Sequence, residues 1–213
     1  APAGDIPLTI TRGRTGMVEL SSIDKDASIL YTINKEKKAK QYTEPISMRD
    51  GGTVTAWFAN NPSIKSSVTF KKLETIQTEV IYASSEEVDD GDAKNLVDGD
   101  PTTYWHSMYS VTVAKYPHWV DLDAGEVKTI KGFTYMPRQD SYNGNIKEYS
   151  IHVSMDGKNW GEPVQKGTFA GNRDEKKVIF SQPVKGRYIR FTALSEQYGQ
   201  DYASGAELTI LAE

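Results

Sequence analysis

Apolar and polar residues alternate with a period of two along most of this chain, the spacing of half-buried strands rather than of helices. Ile29, Tyr31 and Ile33 alternate with Leu30, Thr32 and Asn34. Residues 53–58 are rich in β-branched and aromatic strand formers, and residues 66–70 close this first set. Turn clusters at Asp24–Asp26, Arg49–Gly52 and Asn60–Pro62 separate the runs. No segment before residue 75 keeps a helical period for three turns. A six- or seven-strand sandwich of about 70 residues is the prediction.

Texture changes across Lys71–Thr78 without Gly or Pro, which predicts two abutting domains, residues 1–75 and 76–213. Further strands are expected over Trp119–Asp123, Val127–Tyr135, Glu148–Ser154, Lys177–Phe180, Arg187–Phe191 and Glu207–Leu211. In the third of these, Tyr149, Ile151 and Val153 share one face and Ser150, His152 and Ser154 the other. A single helical turn is expected around Ala93–Leu96. Strands joined by long loops predict a second sandwich, with function in the loops at one end. The fold class is therefore all-β, in two domains.

Composition narrows the function. Of 213 residues 38% are hydrophobic, but 4 Trp, 12 Tyr and 6 Phe are enough to fill thin sandwich cores. No run of 18 apolar residues codes a membrane span. There is no Cys, which excludes disulfides and thiolate metal sites. The opening Ala1-Pro2-Ala3-Gly4 reads as the cut start of a longer or processed protein. Residues 1–75 carry 11 Lys/Arg against 8 Asp/Glu, and residues 76–213 carry 14 against 21, for a net charge of −4. An acidic larger half argues against nucleic acid, whose phosphates need a basic face. The basic run Lys35–Lys40 reads as a solvated hairpin tip.

Three distant stretches carry the chemistry. Asn95–Ser107 offers oxygens in a turn, then Trp105 and His106, with Tyr109 three positions on. Tyr135–Asp140 brings Arg138, and Asn143 follows in a turn. Tyr202–Glu207 adds an aromatic and a carboxylate. A sugar shows an apolar C–H face ringed by hydroxyls, so an aromatic platform with a few fixed polar groups suits it. Plainer readings stand beside these. Asp98-Gly99-Asp100-Pro101 alone is an ordinary turn, and Arg138 could pair with Asp140 or Glu148 as scaffold. Trp105, Trp119 and Trp160 read as core or sub-surface packing and Trp57 as core of the first domain. His118 and His152 have no partner motif. No carboxylate pair and no Ser/His/Asp or His/His/Glu spacing marks a catalyst.

Residues 79–213 resemble the discoidin, or coagulation factor 5/8 C-type, family in the branch of family 32 carbohydrate-binding modules. Matching segments occur in family order: Ala83–Glu86, Asn95–Asp100, Thr103–Ser107, Pro117–Asp123, Tyr135–Arg138, Val153–Trp160, Gly186–Arg190 and Ala206-Glu207. The resemblance implies an eight-stranded, galactose-binding-like jelly-roll with a sugar site in the loops at one end. It implies contacts to a galactose or N-acetylgalactosamine-type sugar from His106, Arg138 and Asn143, flanked by Tyr109 and Tyr202, with Tyr198 as an addition. It also implies a structural calcium held by the Asp98 side chain, the Asp100 carbonyl, the Thr103 hydroxyl and carbonyl and the Glu207 carboxylate. A carbonyl near Lys94 or Ala206 would complete that shell. Residues 6–73 resemble, through Ile29–Ile33, Tyr42–Ile46 and Thr53–Trp57, the immunoglobulin- or fibronectin-like domain near the C-terminus of chitobiases; Asn34-Lys35 departs from the Asp-Gly usual there.

What these resemblances imply together is a monomeric accessory fragment of a secreted, periplasmic or cell-surface bacterial glycosidase whose catalytic domain lies outside this chain. The first domain would be a spacer without a ligand site. The competing reading is a protein-protein adhesion module, because discoidin domains also bind proteins. Phospholipid binding is disfavoured: the loops carry Met108, Tyr109, Tyr142 and Tyr198 rather than paired apolar spikes.

Overall fold

The computed structural model describes residues 8–213, so Ala1–Gly4 lies outside the described residues. The chain divides between Leu73 and Glu74 into two compact units, each with its own core.

The first unit holds seven strands: β1 (Leu8–Arg12), β2 (Met17–Ser22), β3 (Ile29–Ile33), β4 (Lys40–Gln41), β5 (Ile46–Ser47), β6 (Gly52–Phe58) and β7 (Asn61–Phe70). They form a three-stranded sheet, β1-β2-β5, and a four-stranded sheet, β4-β3-β6-β7. Alternation decides which side chains face inward. Val18 and Leu20 on β2 meet Val54 and Ala56 on β6 in a core with Ile29, Ile46 and Met48. This is the sandwich the alternation predicts. Trp57 is buried, but it points away from that core, with the Lys65 ammonium 4.3 Å above its ring.

The second unit contains β8 (Thr75–Ile76), β9 (Glu79–Ala83), β10 (Trp105–His106), β11 (His118–Met136), β12 (Glu148–Ser154), β13 (Gln165–Thr168), β14 (Lys176–Ala193), β15 (Ser204–Gly205) and β16 (Glu207–Ala212). The expected helical turn is a 3-10 turn at Ala93–Val97. Instead of eight separate strands, two long ones run through both layers. β11 joins the expected strands 119–123 and 127–135, and β14 joins 177–180 and 187–191. Register shifts between Asp123 and Lys128 and between Ile130 and Gly132 are the bends that let one hydrogen-bonded sheet fold over on itself.

One layer runs β9, the first half of β11, the second half of β14, β12 and β13. The other runs through the first half of β14, the second half of β11, β16 and β8. Inward residues interlock between them: the Phe133 ring lies 5.4 Å from Tyr149 and 5.7 Å from Phe191. Each fully buried side chain of this kind contributes about 1.5–3 kcal/mol, and Leu122, Ile130, Phe133, Ile151, Ile189, Leu208 and Ile210 are all sealed from solvent. That core holds the loops of one end in place.

Trp105 is part of the core. Trp119 and Trp160 are half-buried and flank the Arg190 guanidinium at 5.5 and 4.4 Å, while Arg190 pairs with Asp121 at 2.7 and 2.8 Å. They are packing residues, as expected, but not core ones.

Candidate functional site

The short ladder between β10 and β15 ties His106 to Ser204 and Trp105 to Gly205, joining the first sequence stretch to the third. The second stretch arrives through the turn after β11. Asn145 N–H donates to the Tyr142 carbonyl at 3.1 Å, and Ser204 Oγ donates to the Asn143 carbonyl at 2.6 Å. Gly144 sits in this turn at φ +76°, where a Cβ would come within 2.7 Å of Ser204 N. Only glycine meets both conditions. Gly91 plays a similar part below His106: its carbonyl accepts from His106 N–H at 3.0 Å, and a Cβ there would lie 2.7 Å from the His106 Cβ.

These loops bring four predicted residues together. The His106 ring lies 4.9 Å from Tyr109 and 5.5 Å from Tyr202, and the two tyrosines are 6.5 Å apart. Asn143 Nδ2 is 3.4 Å from His106 Nε2. His106 Nδ1–H donates to the Ser107 carbonyl at 2.6 Å, which leaves Nε2 as an acceptor. Arg138 stands beside them. Its guanidinium stacks 3.7 Å over Tyr104 and forks onto Asp140 at 2.5 and 3.0 Å. The scaffold pairing weighed for Arg138 is therefore present, on an Asp140 that is itself exposed. Surface pairs of this kind contribute little to stability and leave a guanidinium free to take another acceptor.

Two features were not legible in the sequence. His106 has no exposed surface; Tyr109 and Tyr202 roof it. Glu87 and Asp90, from the acidic stretch before the 3-10 turn, reach the site. Glu87 accepts from Tyr109 N–H at 2.8 Å, Ser110 N–H at 3.0 Å and the Ser110 hydroxyl, and so pins the backbone beneath Tyr109. Asp90 accepts the Tyr109 hydroxyl at 2.5 Å and pushes that phenol up to about 12. Tyr198 stands apart from this group. It packs against Tyr142 at 6.4 Å.

Of the residues expected to hold calcium, Asp98, Asp100 and Thr103 share one hydrogen-bonded turn. Asp98 Oδ1 accepts from Asp100 N–H at 2.8 Å, and Asp98 Oδ2 accepts the Thr103 hydroxyl at 2.7 Å, itself 3.0 Å from the Asp100 carbonyl. The Asp100 carboxylate turns to Thr102 instead. Glu207 is buried at the start of β16, next to β15, whose partner β10 follows Thr103. Among the described residues no three His, Cys, Asp or Glu side chains are grouped to hold a metal. The donors are hard oxygens, mixed between carboxylate, hydroxyl and carbonyl. Their chemistry fits a hard, oxygen-seeking cation such as calcium rather than zinc or copper.

Burial pushes the His106 imidazole below its ordinary range, and the Arg138 charge acts in the same direction; Ser107, Glu87 and Asp90 oppose them. His118 is also buried, its Nε2 2.7 Å from the Asp201 carbonyl, and burial lowers it likewise. Below the ordinary histidine pKa of about 6.5 the unfolded chain therefore binds more protons than the folded one. Stability is full above about pH 6.5 and declines as pH falls toward the depressed folded values. The melting temperature should drop between about pH 7.5 and 5.5, and His118→Gln should flatten the decline. A flat wild-type profile over that window contradicts this.

A family model described as "F5/8 type C domain" matches residues 80–208. A sialidase of Micromonospora viridifaciens is 38% identical over 172 residues, covering 79% of this chain and 26% of the sialidase. This chain spans about a quarter or less of the curated relatives it matches. The Clostridium perfringens module CpGH89CBM32-5, solved with GalNAc-β-1,3-galactose, is 31% identical with a TM-score of 0.60, over 65% of this chain and 99% of the other. The family 32 CBM of C. perfringens NanJ, solved with galactose, is 27% identical with a TM-score of 0.57, over 64% and 96%. With the family match extending over well more than half of its length, the chain belongs to the F5/8 type C domain family.

Proposed function

We propose that the second unit is a non-catalytic carbohydrate-binding module that takes a terminal galactose or N-acetylgalactosamine-type sugar into the loop cup around His106. The observation that carries this is the convergence, from three separate stretches, of His106, Tyr109, Asn143 and Tyr202, with Arg138 alongside. Such a cup supplies aromatic surface for a C–H face, a cationic donor in Arg138 and the amide of Asn143, which leans on His106 Nε2 beneath it. A sugar with an axial hydroxyl can satisfy both polar groups. An epimer with that hydroxyl equatorial leaves one of them unpaired.

His106 enters this account from below. Asn143 already leans on its Nε2, so His106 fixes the amide that faces the ligand. The Tyr109 backbone stays pinned by Glu87, and its hydroxyl is held by Asp90, both partners of that bond being exposed. The turn oxygens of Asp98, Asp100 and Thr103 would hold calcium together with the Glu207 carboxylate; when bound, the ion would supply a structural tie between the loop before His106 and the last strand.

The sugar-bearing relatives and the sialidase support a setting as a targeting module of a glycosidase, in our reading a monomeric one that works outside the cell. No helix among the described residues is long and apolar enough to cross a membrane. A glycan array tests the reading: terminal β-galactosides and N-acetylgalactosaminides should bind above glucosides and mannosides. Uniform absence of glycan binding, with capture by a protein such as collagen, would favour the adhesion reading.

In the same account the first unit is a spacer. Its core is its own, so removing residues 1–73 should leave the galactoside affinity of residues 74–213 within error. A severalfold loss by titration, with the shortened chain still melting cooperatively, would show that the first unit takes part in binding.

A further inference from the structure

The geometry points to a second aromatic subsite, formed by Tyr142 and Tyr198, that receives the penultimate ring of a glycan whose terminal ring fills the cup. This rests on the sugar-cup reading. Tyr142 and Tyr198 are 45% and 62% exposed, with rings 6.4 Å apart and perpendicular at 89°. Tyr142 immediately precedes Asn143, so the two Cα atoms are about 3.8 Å apart and the subsite begins one residue from the cup.

A lone exposed tyrosine is ordinary on any surface. Here, however, both rings stand on backbone fixed from beneath. Glu196, itself buried, accepts from Tyr198 N–H at 2.7 Å and Gln200 N–H at 3.0 Å. Gln197 N–H donates to the Asn145 carbonyl at 2.9 Å, and its side-chain amide reaches the Ile146 and Phe169 carbonyls at 3.1 and 2.9 Å. The Tyr142 ring is braced by the Arg173 guanidinium 4.7 Å away, which in turn donates to the Gln139 carbonyl. Two loops thus hold an exposed, angled aromatic pair, one member of which adjoins the cup residue Asn143 along the chain, at little ordering cost. Rigid tyrosines bind with small entropy loss, and their faces match the C–H face of a pyranose.

The test is titration calorimetry with methyl β-galactoside and with 1,3- and 1,4-linked β-galactosyl disaccharides, which share the terminal ring. Wild type should bind at least one disaccharide roughly three- to tenfold more tightly than the monosaccharide, the worth of one good aromatic contact. Tyr198→Ala and Tyr142→Ala should erase that gain with methyl β-galactoside affinity and melting curve unchanged; Tyr198→Phe should keep it. The inference is overturned if no disaccharide gains, or if the gain survives in both alanine variants. A wild type that binds methyl β-galactoside without any gain defeats the subsite alone; one that binds no galactoside defeats the cup reading and the subsite with it.

Discussion

Arg138→Ala, Asn143→Ala and His106→Ala are each expected to bring galactoside binding below detection in a titration that measures wild type readily. A site of this size binds at millimolar to high-micromolar strength, about −4 to −6 kcal/mol. Losing one partner leaves the others facing a sugar hydroxyl they cannot satisfy, at about 1–3 kcal/mol each. That is a large share of the total. Arg138 gives the cleaner result. Its charge is held up by an Asp140 that lies at the surface, and its removal disturbs only that surface fork and the stack on Tyr104. Arg138→Lys should also fail, because an ammonium cannot stack on Tyr104 and fork two acceptors at once. His106→Ala removes the floor under Tyr109 and Tyr202 as well as the partner of Asn143. It should therefore lose more, with some loss of melting temperature. Full galactoside affinity in Arg138→Ala and Asn143→Ala together would place the sugar site elsewhere.

Excess calcium is expected to raise the melting temperature of the second unit by about 5–10 °C over the chelated protein. An ion present at a hundredfold its dissociation constant adds about 2.7 kcal/mol to the folded state, and a domain of this size converts each kcal/mol into a few degrees. The Thr103 hydroxyl stands 2.7 Å from Asp98 Oδ2 and 3.0 Å from the Asp100 carbonyl, both of which accept from it. An ion would draw them onto itself and fix Thr103, three residues before His106. Asp98→Asn should abolish the response, and chelation should weaken galactoside binding along with stability. A melting curve indifferent to calcium after verified metal removal would sink the structural role.

Much of this was legible in the sequence because period-two alternation survives wherever one face of a strand is buried. Residues 29–33 and 148–154 show it plainly, and the strands run there. The joining of β11 was hidden. Ala124-Gly125-Glu126 separates the two expected strands, whereas the backbone bends through it with a register shift and pairs with β14 on both sides. β13 was missed because Gln165-Lys166-Gly167-Thr168 has no apolar alternation to show and is held by its ladder to β12.

The site followed the same rule. His106, Arg138 and Asn143 could be nominated by residue type and order, but not the depth of His106, which is set by rings three and 96 positions away. Glu87 and Asp90 lay in an acidic stretch that looks like any solvated surface. Their partners, Tyr109 and Ser110, are 19 to 23 residues on, and no local pattern announces such a pairing.

The central claim is that the cup over His106 holds the sugar, and a crystal structure of the chain soaked with N-acetylgalactosamine or galactose tests it most directly. The account predicts one pyranose packed against Tyr109 and Tyr202, its hydroxyls on Arg138 and Asn143. Sugar density confined to another part of the second unit, with the cup unchanged and Tyr109 still bonded to Asp90, would contradict it.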